Sequence, residues 1–165
     1  MIKILGIDPG TNITGYGVIQ LDGNKIKYLY HAILKTGLKN KYTEKLARIN
    51  IETERVIKEF KPDHVAIESV FFSVNAATAI KLGQSRGAAV CACSKEGLEV
   101  FEYSPRRVKM LVTDSGASDK DVVKSCVKKI LRLRRELEID ASDALAVAIS
   151  HGKTLIDSEL EAKSV

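Results

Sequence analysis

The chain has 165 residues, 45% of them hydrophobic and 28% charged, which is the balance of one globular domain with a real core. No apolar run is long enough to span a membrane, and no charged-then-apolar leader opens the chain, so a cytoplasmic protein is expected. The three cysteines are odd in number and unsuited to a disulfide framework, and the net charge of +5 is by itself modest support for a polyanionic partner.

Residues 2–8, 14–21 and 25–34 read as strands, and Asp22-Gly-Asn24 makes the last two a hairpin. The first of these is an apolar run that ends on Asp8, so a buried strand delivers a carboxylate at its tip. Gly15 and Gly17 share one face of the second strand, which predicts a close approach there. Thr43 is the expected cap of a helix carrying Leu46, Ala47, Ile49, Val56, Ile57 and Phe60 at helical spacing. Lys61-Pro-Asp63 ends it and leads into a second apolar run that finishes on Glu68.

A long helix is predicted over 75–96 and stopped by Gly97. Its Ala79, Gly83 and Gly87 recur every four residues, a stripe open to packing on the sheet or to a subunit interface. Cys91 and Cys93 point to different faces of it, which excludes a zinc pair. A short strand at 98–102 precedes a turn at Ser104-Pro105 and a brief basic helix with Arg106, Arg107 and Lys109. Ser118 starts a further helix with Lys120, Lys124, Lys128 and Arg132 along one side and Val123, Val127, Ile130 and Leu131 along the other. A solvated face explains such a stripe taken alone, but two neighbouring segments of the same sign favour phosphate contact. The last helix opens with Asp140 and Asp143, three apart and therefore on one face, and is otherwise too apolar to lie outside the core. The pattern fades after Gly152, which gives one domain over 1–153 and a flexible tail over 154–165. Antiparallel strands followed by alternating helix and strand predict an α/β fold with a mixed central sheet and helices on both faces.

Asp8, Glu68, Asp140 and Asp143 thus sit at strand tips and on a core helix. Carboxylates in such places are costly unless a positive charge joins them, and a hard divalent cation is the simplest one. Two Mg²⁺ ions about 3.5–4 Å apart activate a water and stabilise the leaving oxygen in phosphodiester hydrolysis, with oxygen ligands sufficing. His31, His64 and His151 have no partner at ligand spacing and are expected to be structural. Phe71 and Phe72 follow Glu68 in a loop; one is expected in the core, and one exposed beside the acids would stack on a DNA base.

These residues resemble the RuvC family of Holliday junction resolvases, in the RNase H-like superfamily. The resemblance runs through Gly6-Ile-Asp-Pro-Gly10, Gly15-Tyr-Gly-Val18, Ile67-Glu-Ser-Val-Phe-Phe72, Lys81-Leu-Gly-Gln-Ser-Arg-Gly87, Tyr103 to Lys109 and Asp140-Ala-Ser-Asp-Ala-Leu-Ala146. It implies an RNase H-like, five-stranded mixed sheet and a homodimeric endonuclease that nicks two opposing strands of four-way junction DNA. It implies two Mg²⁺ ions per site, with Mn²⁺ able to substitute, held by Asp8, Glu68, Asp140 and Asp143 as catalytic carboxylates. Phe71 then corresponds to the base-contacting aromatic and Lys109 and Lys120 to the functional lysines; the charge pattern of the two basic segments adds Arg107 and Lys124 as expected DNA contacts. RuvA and RuvB follow as partners. Asp114 and Ser115 depart from the smaller, more neutral loop of relatives. Gly6-Ile-Asp-Pro-Gly-Thr11 also resembles the first phosphate loop of actin-like ATPases, but 165 residues leave no room for their second domain. A RuvX-like nuclease shares the opening motif and lacks the long segment between the acids.

Overall fold

The computed structural model describes residues 1–37, 39–69 and 75–163. Among these, β1 (Ile2–Asp8), β2 (Ile13–Asp22), β3 (Lys25–Lys35), β4 (His64–Glu68) and β5 (Val100–Tyr103) form one sheet in the order β3-β2-β1-β4-β5. The pairs β1–β2 and β2–β3 are antiparallel, and β1–β4 and β4–β5 are parallel. The expected five-stranded mixed sheet is therefore present. Among the described residues, no helix is long and apolar enough to cross a membrane.

Side-chain alternation along the strands builds two cores. Leu5, Ile7, Tyr16, Val18, Val65 and Ile67 face α1 (Tyr42–Phe60) and α2 (Ala76–Lys95), where Ile49, Val56, Ala89 and Cys93 meet them. Ile4, Ile19, Leu21 and Ala66 face the other side, against α3 (Pro105–Thr113), α4 (Lys120–Ile130) and α5 (Ile139–Lys163). Residues 144–149 are wholly buried, because α5 lies between the sheet and the pair α3 and α4.

The close approach expected at Gly15 and Gly17 is α5. A Cβ on Gly15 would stand 2.0 Å from the Asp140 carbonyl oxygen, one on Gly17 2.8 Å from Leu145, and one on Gly6 2.1 Å from the Ala144 carbonyl oxygen. Three glycines on one sheet face thus let the helix backbone rest almost on the strands. By contrast, among the described residues a Cβ on Gly83 or Gly87 of α2 would meet nothing within 4 Å, so these two glycines do not pack on the sheet.

A polar chain crosses the second core. Tyr103 Oη lies 2.9 Å from His151 Nδ1, and His151 Nε2 lies 2.9 Å from His64 Nδ1, tying β5 and β4 to α5. Burial, then the neighbouring His64, push the His151 imidazole down to about 4, so it is neutral.

Several expected boundaries move. The first helix begins at Tyr42 rather than being capped by Thr43: Glu44 Oε2 reaches back 3.2 Å to accept from the Lys41 amide. The cap of α4 is Asp119, whose carboxylate accepts from the Val122 amide at 2.9 Å, rather than Ser118. The helix also stops at Ile130 and Arg132 takes a left-handed φ of 54°, so Arg132 leaves the basic stripe. The stretch expected as a tail over 154–165 begins within α5. α5 runs through Lys163: Leu155 and Ile156 pack against the core and Lys153 Nζ donates to the Leu111 carbonyl at 2.7 Å, while residues 157–162 are exposed.

The two kinds of glycine should respond oppositely to alanine. Gly15→Ala should lower stability by about 1–3 kcal/mol through overpacking against a backbone atom. Gly83→Ala should be neutral or stabilise by up to about 1 kcal/mol, since a methyl meets none of the described residues and helix propensity improves. Urea melts of the two variants would measure this, and equal midpoints would contradict the packing described.

Candidate active site

Parallel pairing of β1 with β4 sets their carboxyl ends side by side, and both end on an acid. Counting by twos, Asp8 falls on the same face as Ile4 and Gly6, and Glu68 on the same face as His64 and Ala66, which is the α5 side. The first turns of α5 come down over Gly15, itself paired with Asp8 across β1 and β2. Asp8, Glu68 and Asp143 then line one cleft of about 230 Å³ with Lys109 from α3, Lys120 from the start of α4, and Pro105, Val108 and Val123. Asp140 stands beside the cleft without lining it, and its charge still acts on Asp8 and Lys120.

The charges are strongly coupled. Burial, then the charges of Glu68 and Asp143, push the Asp8 carboxyl up to about 8. Burial, then Asp143, push Glu68 up to about 7. Lys120 Nζ donates to Asp143 Oδ2 at 2.7 Å. Burial alone would lower that ammonium, but the hydrogen bond to Asp143 and the charges of Asp8 and Asp140 raise it instead. Among the described residues, no three His, Cys, Asp or Glu side chains close to the spacing of ligands around one ion. The donor set nevertheless suits a hard divalent cation. It is made of carboxylate oxygens, offers no nitrogen or sulfur ligand, and carries repulsion that such an ion relieves.

The other expected site residues divide. Lys109 and Lys120 reach the cleft. Arg107 is exposed on α3, and Arg106 packs over Gly116. Lys124 and Lys128 instead converge on Glu136, at 3.6 and 3.3 Å, so part of the basic stripe is a paired surface. Their hydrogen bonds and charges, Lys128 first, hold the Glu136 carboxyl below its usual range. Phe71 and Phe72 lie outside the described residues. The histidines were expected to be structural, and the His64–His151 pair fits that, though the pairing itself left no sequence signal across 87 residues.

Raised carboxyl groups make the stability depend on pH with a definite sign. The folded chain holds protons on Asp8 and Glu68 that the unfolded chain releases near pH 4, so their contribution is full below that point. It is lost as pH rises through about 7 and about 8. Thermal melts in chelator should therefore fall from about pH 5 to about pH 9, and Asp8→Asn should flatten that fall. An unchanged pH slope in Asp8→Asn would show that Asp8 is not the buried acid described.

The family model described as Crossover junction endodeoxyribonuclease RuvC matches residues 4–151. The Histophilus somni protein of that name is 42% identical over 165 residues, covering 100% of this chain and 87% of the relative. The Tolumonas auensis protein is 46% identical, covering 93% of this chain and 88% of the relative. Among solved structures, T. thermophilus RuvC in complex with Holliday junction substrate superposes with a TM-score of 0.89 at 31% identity, covering 96% of this chain and 97% of that one. With the same fold and matched sequence from β1 to α5, the chain belongs to the RuvC family of crossover junction endodeoxyribonucleases.

Proposed function

We propose that the chain is a structure-selective endonuclease that resolves four-way DNA junctions by paired symmetric nicks, in homologous recombination and repair. The observation that carries this reading is the convergence of Asp8, Glu68 and Asp143 with Lys109 and Lys120 in one cleft of a family member. Asp8, Glu68, Asp143 and the adjoining Asp140 would hold Mg²⁺, two ions per site, with Mn²⁺ able to substitute. When bound, the metal would activate the attacking water and stabilise the leaving oxygen.

The chain's own residues do the rest. Asp8 and Glu68 release their protons as the site charges. Lys120, whose side chain is 64% exposed, is free to leave Asp143 and turn to a phosphate oxygen. Lys109, on the opposite helix, places a second positive charge at the same cleft. Phe71, three residues after Glu68 in sequence, contacts the bases near the nick, and Arg107 and Lys124, the latter on leaving Glu136, contact the flanking backbone. Paired nicks require two such clefts, hence a homodimer. The open outer face of α2 at Gly83 and Gly87, with Ile80 exposed beside it, supports an interface there. RuvA and RuvB are the expected partners, and the cytoplasm the expected compartment.

A synthetic four-way junction incubated with and without Mg²⁺ tests the reading. Paired symmetric nicks that need the metal are expected; indiscriminate degradation of linear duplex would point to a different nuclease of the superfamily. Asp143→Asn should cut cleavage by orders of magnitude. Its metal-free junction affinity should hold or rise, because the change removes a charge that repels phosphate and frees Lys120. Proportional loss of binding and cleavage would make Asp143 structural. Phe71→Ala should lose about 1–3 kcal/mol of base stacking and blur the cleavage sequence, and an unchanged sequence preference would remove Phe71 from that role.

A further inference from the structure

A second polar recess opens across the β1–β2 turn from the acidic cleft, on the α1 and α2 side of the sheet. Its volume is about 540 Å³, and Thr11, Asn12, Tyr42, Lys45, Thr78 and Lys81 are among its lining residues. Among the described residues, no acidic side chain lines it. Lys45 is its unusual member, since only 8% of it is exposed. Its Nζ donates to Asn12 Oδ1 at 2.7 Å, a neutral acceptor. A buried ammonium held by a neutral amide is costly unless an anion joins it, and the recess leaves room for one. The walls are set in advance: Tyr42 Oη donates to the Lys81 carbonyl at 2.9 Å, and Thr36 Oγ1 donates to the Thr11 carbonyl at 2.8 Å.

The position of the recess says which anion. Thr11 follows Asp8 by three residues, so the two Cα atoms are at most about 11 Å apart. A nucleic-acid strand advances about 3.4 Å per nucleotide, so a strand with its reacting phosphate in the acidic cleft that runs past the β1–β2 turn would bring another to the recess within about three nucleotides. We propose that the Lys45–Lys81 recess is a phosphate-binding pocket that holds the backbone of the cleaved strand beside the nick. The proposal rests on the nuclease reading of the acidic cleft and adds the point that fixes the direction in which the strand leaves it. Lys81 is solvent-exposed at the mouth and supplies the second charge; Thr11, Asn12 and Thr78 supply neutral polar groups.

The test is the salt dependence of metal-free four-way junction binding by the full chain, for wild type, Lys81→Gln and Lys45→Gln. One lost phosphate contact lowers the slope of log affinity against log salt by about 0.9. The wild-type advantage over either variant should therefore shrink by about 3.5-fold between about 50 and about 200 mM salt. A junction carrying a single neutral methylphosphonate, walked along the strand beside the nick, gives the location. At one position within about three nucleotides of the nick it should weaken wild type while leaving Lys81→Gln unaffected. If Lys45→Gln does not fold, the exposed Lys81 decides. A full salt slope in Lys81→Gln, or methylphosphonate losses equal in wild type and Lys81→Gln at every position, overturns the pocket while junction cleavage by wild type stands. Wild type that neither binds nor cuts junctions would remove the nuclease reading and the pocket with it.

Discussion

The distance between one helix and one sheet governs this molecule. Helices ordinarily ride on a sheet at a height set by the side chains between them. Here Gly6, Gly15 and Gly17 remove those side chains from the strands, and α5 offers Ala144 and Ala148 in return. The helix backbone descends until its carbonyl oxygens would touch a methyl group, and its first turns arrive level with the strand tips. Only at that height does Asp143 share a cleft with Asp8 and Glu68. The charges are thus placed by the smallest residues in the sequence.

Crowding the acids has an electrostatic consequence that shapes everything around them. Asp8 and Glu68 hold protons far above the usual carboxylate range, and Lys120 is drawn onto Asp143. On the other side of the β1–β2 turn the imbalance reverses, with Lys45 buried among neutral partners. An unbalanced negative site and an unbalanced positive one stand back to back, separated by three residues. Phosphodiester backbone with divalent cations is complementary to both at once. Elsewhere an acid can neutralise its basic neighbours directly, as Glu136 does for Lys124 and Lys128.

Much of this was legible in the sequence, for identifiable reasons. Apolar runs ending on Asp8 and Glu68 predict strand tips because alternation and termination are local properties. Gly15 and Gly17 predict a close neighbour because glycine in a strand has few other uses. Boundaries that depend on a side chain reaching back, such as Glu44 to the Lys41 amide or Asp119 to Val122, were displaced by a residue or two. α5 runs on past Gly152 because Leu155 and Ile156 gain tertiary contact with the core, which no local pattern announces. The Tyr103–His151–His64 chain joins residues 48 and 87 apart and left no signal at all. Lys45 did leave one: it falls four residues before Ile49 and eight before Thr53, on the buried stripe of α1. A charged residue in that register marks either a misplaced helix or a buried cation, and it is the latter.

The alternation that sends Gly6 and Asp8 to one face and Leu5 and Ile7 to the other also protects the fold against misassembly. Suppose β1 paired one residue out of register. Every side chain would change face. Asp8 would enter the apolar layer containing Ile49 and Val56, and Ile7 would meet the α5 backbone where even a Cβ on Gly6 would stand only 2.1 Å from the Ala144 carbonyl oxygen. Either insult alone would be severe, and a slipped strand suffers both together. The glycines and acids that build the cleft are therefore also its proofreaders during folding, rejecting near-native sheets before any DNA is met.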